Sequence, residues 1–215
     1  MIKISNVKIE GLEPAIRGMR NSFNSWDKSD SLIHEDGTFS IGPGDAKLMK
    51  SLSSGPPSES KFQRMIIVWC DIDAPLYWWK QFDTYKIGTV ANSCSTMHTI
   101  CDHPFTVENF SVDEPFAIWE VIIRVLNDMR EYYIQAIERG SMEAAKSWWR
   151  NIIQLLPESY NQKRTICVSY AALKAMWKDR HHHKLSEWHE FCDWVESLPC
   201  SRGVITPEKE KENKE

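Results

Sequence analysis

Hydrophobic positions recur at helical spacing along much of the chain. The longest such segment opens at Pro115 and sets Trp119, Ile122, Ile123, Leu126, Met129, Tyr133 and Ile137 on one face, with Gly140 as its natural stop. Ser141 is placed to cap a following helix that runs through Leu155 and is ended by Pro157. Two further amphipathic helices are predicted over Thr165 to Arg180 and Leu185 to Leu198, the last with Leu185, Trp188, Phe191, Val195 and Leu198 spaced by three or four. Shorter helices are predicted from Glu13 to Phe23 and from Asp45 to Leu52, where Asp45 suits a cap and Leu48, Met49 and Leu52 repeat at helical spacing.

Two segments carry strand patterns. Residues 2–10 set Ile2, Ile4 and Ile9 among polar neighbours, and Met65 to Cys70 (MIIVWC) is a run of β-formers bounded by polar residues. Pro75 suits the first turn of a helix, where its missing N–H costs nothing, so APLYWWKQFDTY is predicted to be a helix entered directly from that strand. The stretch IGTVANSCSTMHTICDHPF has no helical stripe and is predicted to be a polar loop, as is Ser51 to Ser60 with its two prolines. The class is α+β and helix-dominated. One domain is expected over 1–206, with a disordered, charge-dense tail over 207–215.

Composition narrows the classes. A chain of 215 residues buries roughly 70% of its unfolded surface, which excludes a small disulfide scaffold. No apolar run approaches the roughly 18 residues of a membrane span, and the start MIKISNVKIEGLE lacks a signal-peptide pattern, so a cytoplasmic protein with free thiols is expected. A net charge of -4 without a basic stretch argues against nucleic acid. Ten Trp, including the doublets Trp78-Trp79 and Trp148-Trp149, predict a Trp-rich core or a subunit interface.

Several residues are candidates for chemistry. Arg180 follows Leu173, Met176 and Trp177 on an apolar stripe, and a guanidinium there needs an anion: either a local carboxylate such as Asp179 or Glu187, or a ligand phosphate or pyrimidine oxygen. His181, His182 and His183, with His189, Glu190 and Cys192, are competent ligands in type, which leaves a metal-dependent hydrolase as a reading. The spacing favours a solvated, helix-ending cluster, so no metal is expected. Cys94, in its Ser-rich loop, would need an activating base to serve as a nucleophile. Neither a Walker A loop nor GxGxxG occurs.

The order of segments carries a resemblance. A strand is followed by A-P-x-x-x-x-[RK]-Q-[WF], a polar loop with Asn and Ser, a long helix, L-L-P, and a helix ending in Arg. This resembles the flavin-dependent thymidylate synthases of the ThyX type, in which the first stretch runs A-P-I-F-V-A-R-Q-W-x-R-H-R-x-x-S-x-N-E-x-S-x-R. Here it is APLYWWKQFDTYKIGTVANSCSTMH, with Ala74, Pro75, Lys80, Gln81 and Phe82 aligned without a gap. Leu156-Pro157 and SYAALKAMWKDRHHHKLSEW echo the family's later L-P and N-x-R-S-L-x-x-F-L-x-L-R-x-x-x-H-A-Q-W-E, with Leu173 and Arg180 at the matching spacing. The likeness covers roughly residues 40 to 200. The departures are equally specific: Thr84-Tyr85-Lys86 and Thr89 stand for the R-H-R signature and its Ser, Met97 for an Arg, Ile153 for another, and Ser169 and Ala171 for the last helix's Asn and Arg.

The resemblance implies a ThyX-like α+β fold, central long helices packed with a small, mainly antiparallel sheet, assembled as a homotetramer with sites between subunits. It implies binding of a pyrimidine deoxynucleotide such as dUMP, with FAD and NADPH as the cofactors of a C5 methylation or related modification. On it, Gln81, Asn92, Ser95, Arg150 and Arg180 face the substrate, and Tyr85, Lys86, Thr89 and Lys184 face the cofactor or a phosphate; no catalytic group is assigned. The alternative is a non-catalytic nucleotide-binding or structural relative without flavin chemistry. Lost charge-assisted contacts of about 1.5–3 kcal/mol each would remove orders of magnitude of affinity unless other residues replace them.

Overall fold

The computed structural model describes residues 2–208; the expected tail lies, from residue 209 on, outside the described residues. The class is α+β, with eight α-helices and six strands among the described residues. Strands β1 (Lys3–Glu10), β4 (Ile67–Pro75), β6 (Asn161–Ser169) and β5 (Thr89–Ser93) form the small, mainly antiparallel sheet in the order β1-β4-β6-β5. The short strands β2 (Leu32–Ile33) and β3 (Phe39–Ser40) pair as an antiparallel hairpin, Leu32 opposite Ser40 and Ile33 opposite Phe39. Contacts divide the chain into two compact units: Met1–Lys3, Ile72–Thr84 and Asn92–Thr165 in the first, and Ile4–Asp71, Tyr85–Ala91 and Ile166–Glu215 in the second.

The first unit is built on two long helices, α5 (Ala117–Glu138) and α6 (Met142–Leu155), which pack along one another. The expected apolar stripe does the packing: Leu126 and Ile152 are fully buried with Ile100, Phe105 and Phe110, and Trp119, Ile122, Ile123 and Met129 lie against that cluster. Gly140 ends α5 as predicted, at φ +72°, a left-handed conformation that favours glycine, while the Ser141 N–H reaches back to the Ala136 carbonyl at 2.9 Å. Ser141 occupies the cap position of α6 but makes no side-chain capping bond. The preceding loop is tied down by Asn127, whose amide oxygen accepts from the Phe105 N–H at 2.7 Å and whose amide nitrogen donates to the Phe105 carbonyl at 2.9 Å. Helix α3 (Leu76–Phe82) packs Trp78, Trp79 and Phe82 edge-on and tilted, with ring centres about 5 Å apart.

The second unit holds α1 (Leu12–Arg20), α2 (Pro43–Ser54), α7 (Tyr170–Arg180) and α8 (Ser186–Ser197). Asp45, expected as a helix cap, instead sits inside the first turn of α2 and is fully buried. Its carboxylate accepts from Arg20 Nε at 2.7 Å and from the Ser29 and Ser31 hydroxyls at 2.7 and 2.6 Å. Burial raises its pKa, but the hydrogen bonds from Ser31, Ser29 and Arg20 outweigh that and hold it below the ordinary carboxylate value.

Four local expectations are corrected. Thr165 to Ser169 extend β6 rather than opening α7, because Thr-Ile-Cys-Val favours the sheet ladder; Ser169 then caps the helix, its hydroxyl accepting from the Ala172 N–H at 3.2 Å. Pro75 ends β4 in extended conformation instead of starting the first helical turn. The polar loop after α3 contains β5 and the short helix α4 (Thr96–Thr99). Of the ten Trp, Trp78, Trp79 and Trp188 are fully buried, whereas Trp26 and Trp69 are exposed, so the Trp-rich core is narrower than composition suggests. All six cysteines are free thiols. No helix among the described residues is long and apolar enough to cross a membrane.

Candidate functional site

In the second unit, Arg180 is the last residue of α7, on a helix anchored by fully buried Leu173 and Met176. Its guanidinium carbon lies 5.0 Å from the ring centre of Trp188 on α8 and 5.5 Å from that of Tyr85, and its Nε donates to the Tyr85 hydroxyl at 2.9 Å. That hydroxyl donates in turn to Asp179 Oδ2 at 3.2 Å, so Arg180 reaches Asp179 through a phenol. Burial raises the Tyr85 pKa; Arg180 opposes the shift and Asp179 adds to it, leaving a neutral phenol.

The segment carrying Tyr85 is fixed to the start of the same helix. The Ser169 N–H donates to the Gly88 carbonyl at 3.0 Å, and Gly88 stands at φ +75° where a Cβ would come within 2.9 Å of the Ser169 hydroxyl. The Thr89 hydroxyl is turned inward onto the Tyr85 carbonyl. Lys86 and Lys184 are exposed, and among the described residues neither has an ion pair. Nearby, burial lowers the His183 pKa, and Arg180, His189 and Lys184 lower it further.

The rest of the histidine cluster is committed locally. The His181 ring stacks on Trp177 at 4.2 Å and 8°, its Nδ1 lies 2.9 Å from the Trp177 carbonyl, His183 Nδ1 accepts from the Leu185 N–H at 3.1 Å, and His189 Nε2 lies 2.6 Å from the His183 carbonyl. Among the described residues no group of three or more His, Cys, Asp or Glu is arranged to hold a metal ion.

The remaining candidates lie in the first unit. Gln81 is half-buried on α3, Asn92 is exposed on β5, Ser95 caps α4 through its carbonyl, and Arg150 is exposed on α6. Asn92 and Ser95 flank Cys94, whose backbone is clamped by β6: its N–H donates to the Lys163 carbonyl at 2.9 Å, and its carbonyl accepts from Gln162 Nε2 at 2.9 Å. Cys94 itself is exposed, with the Thr99 hydroxyl 3.8 Å from its sulfur.

Sequence reasoning missed the source of that clamp. Arg164 lies 4.3 Å over the Trp79 ring, donates to Gln162 Oε1 at 2.9 Å and pairs with Asp83 at 2.8 Å, while the Trp79 indole N–H donates to the Gln162 carbonyl at 2.8 Å. Gln162 and Arg164 are two apart on a strand and so share a face; reading residues 161–169 as a strand would have exposed that signal.

The sequence matches no family model, and no curated protein matches it. Solved structures do. The flavin-dependent thymidylate synthase ThyX of Helicobacter pylori, complexed with FAD and dUMP, superposes with a TM-score of 0.68 at 15% identity, covering 94% of this chain and 97% of that one. A second structure of that enzyme with FAD and dUMP gives 0.68 at 14% identity, covering 95% and 97%. This chain has the ThyX fold. The UMP/dUMP methylase PolB of Streptomyces cacaoi, bound with 5-Br dUMP, matches with a TM-score of 0.61 at 13% identity over 96% of this chain and 98% of that one.

Within this ThyX fold the departures in sequence acquire a structural meaning. Tyr85, at the His of the R-H-R signature, is the hydrogen-bond partner of Arg180, and Thr89, at its Ser, bonds back to the Tyr85 carbonyl. Of the residues that the resemblance turns toward a cofactor, two thus spend their hydroxyls inside the protein, while Lys86 and Lys184 stay exposed. Only the two lysines of this set suit a flavin pyrophosphate, the two hydroxyls being taken up within the protein.

Proposed function

We propose that this chain binds a pyrimidine nucleoside monophosphate, dUMP or a close relative, at the Arg180 site. The observation that carries the reading is the Arg180 guanidinium held over the Tyr85 and Trp188 rings, beside the exposed Lys86 and Lys184, in a ThyX fold. Arg180 meets the phosphate or a base oxygen by a charge-assisted bond, Lys86 and Lys184 add positive charge, and Tyr85 presents a flat ring edge to the base. A homotetramer belongs to this reading, supported by Ile118, Val121, Tyr132 and Ile137, which stay exposed on α5.

On this binding function, FAD-dependent C5 methylation is the activity that similarity to an FAD and dUMP complex and to a UMP/dUMP methylase favours, with NADPH as reductant. A flavin-free, non-catalytic nucleotide binder is the second reading, favoured by the inward use of the Tyr85 and Thr89 hydroxyls. Calorimetric titration with dUMP tests the first claim: saturable binding that Arg180→Ala removes supports it, and no binding, or equal binding by the variant, refutes it. An absorbance spectrum after FAD loading and desalting separates the two readings, retained flavin bands favouring methylation and their absence the binder.

A further inference from the structure

The second unit carries another concave site that none of the candidate residues line. A cleft of about 520 Å³ is bordered by Lys50, Lys174 and Lys178, walled by Trp177 and Ile205, and rimmed by Glu208. An adjoining groove of about 450 Å³ shares Lys50 and Glu208 and adds Lys47. Four lysines and one acid line the two, in a chain whose net charge is -4.

Arg180 is not among the residues that line this cleft. Lys174, Trp177 and Lys178 stand at i, i+3 and i+4 and share one face of α7; Lys178 lies about 200° round the helix from Arg180, while Trp177 stands between the two. The cleft is also built rather than incidental. Buried Gln63 fixes its floor, donating to the Val204 carbonyl at 2.8 Å and the Ser53 hydroxyl at 2.9 Å, and Trp177 is held by His181 stacked on it and by Glu196, which accepts from its indole N–H at 3.2 Å.

The lysines are poised for an anion. Lys174 donates to the Ser53 carbonyl at 2.6 Å, and its partial burial pushes its pKa down. Among the described residues, Lys47, Lys174 and Lys178 have no carboxylate partner, while Lys50 is met by Glu208. Among the described residues, the carboxylate at the cleft is that of Glu208, placed on Lys50.

We propose that this cleft is a second binding site, for a small molecule that carries two or more phosphate charges on a flat ring. Its phosphates meet Lys50, Lys174 and Lys178 in place of Glu208, and its ring lies against Trp177 and Ile205. Compact ammonium groups suit phosphate as point charges, and the volume suits a nucleotide-sized ligand.

The test is calorimetric titration of the full-length chain with ADP at low salt, with pyrophosphate, adenosine and citrate as comparison probes. One saturable ADP site is expected, with pyrophosphate weaker and adenosine silent. Lys178→Gln and Lys50→Gln each lower ADP affinity about tenfold, Glu208→Gln raises it a few fold, and Arg180→Ala leaves it unchanged. Absence of saturable binding, equal affinity for citrate, or loss of ADP in Arg180→Ala with retention in Lys178→Gln overturns the proposal. Lys178 is exposed, so its replacement reads binding and not folding.

Discussion

Each unit places an arginine over a fully buried tryptophan, Arg164 on Trp79 at 4.3 Å in the first and Arg180 on Trp188 at 5.0 Å in the second. The surroundings of the two guanidiniums differ. Arg164 is met by the Asp83 carboxylate and the Gln162 amide, and its side chain is 15% exposed. Arg180 gives its Nε to the Tyr85 phenol, which donates in turn to Asp179, and its guanidinium is half-buried over Trp188. The same stacking therefore serves two ends: in one place it locks a strand to a helix, and in the other it orients a cation.

Breaking the first cluster has the largest expected effect. Trp79→Ala removes a fully buried ring together with its bond to the Gln162 carbonyl and costs about 3–5 kcal/mol, read as a drop in denaturation midpoint. Arg164→Ala leaves the Gln162 oxygen and Asp83 without their donor and costs about 1–3 kcal/mol in the same measurement. Arg180→Ala inverts the balance: stability falls by about 1 kcal/mol, while dUMP affinity falls about 10- to 100-fold in titration. A stability loss from Arg180→Ala as large as that from Arg164→Ala would erase the distinction. Tyr85→Phe keeps the ring but deletes the hydroxyl between Arg180 and Asp179, for about 1 kcal/mol in stability and a smaller loss of affinity than Arg180→Ala.

The smallest effect is a pH dependence. His183 has a folded pKa below its unfolded value near 6.5, through burial first and then Arg180, His189 and Lys184. Between the two values the unfolded chain binds more protons, so stability rises with pH up to the unfolded pKa and is lost as pH falls through that window. His183→Gln flattens this slope in melts between about pH 5 and 7; an unchanged slope would show that His183 does not contribute.

Legibility followed periodicity. The stripe from Trp119 to Met129, the Gly140 stop and the pair of helices after it were readable because 3.6-residue spacing repeats over many turns. Asn161–Ser169 was not, since its burial alternates irregularly and its last five residues also fit the helical spacing that follows. Strand β5, a few residues among Gly, Asn and Ser, has no pattern of its own and forms because β6 is beside it. At the candidate site, Arg180 was identifiable as a cation on an apolar stripe, but its phenol partner lies 95 residues away. The Arg164 clamp leaves no mark, because residues 161–164 carry no predicted element and only the last five residues of the strand read as helix.

By itself the sequence determined the long helices α5, α6 and α8, the glycine stop at Gly140 and the apolar stripe of α5, because these follow from local sterics and repeated spacing. Tertiary structure alone decided the partners. Ser29 and Ser31 close on Asp45, Asp83 on Arg164, and Tyr85 on Arg180, each a choice among groups of equal chemical competence. Charge and hydrogen-bond capacity belong to a residue, whereas the distance that turns them into a site belongs to the packed chain.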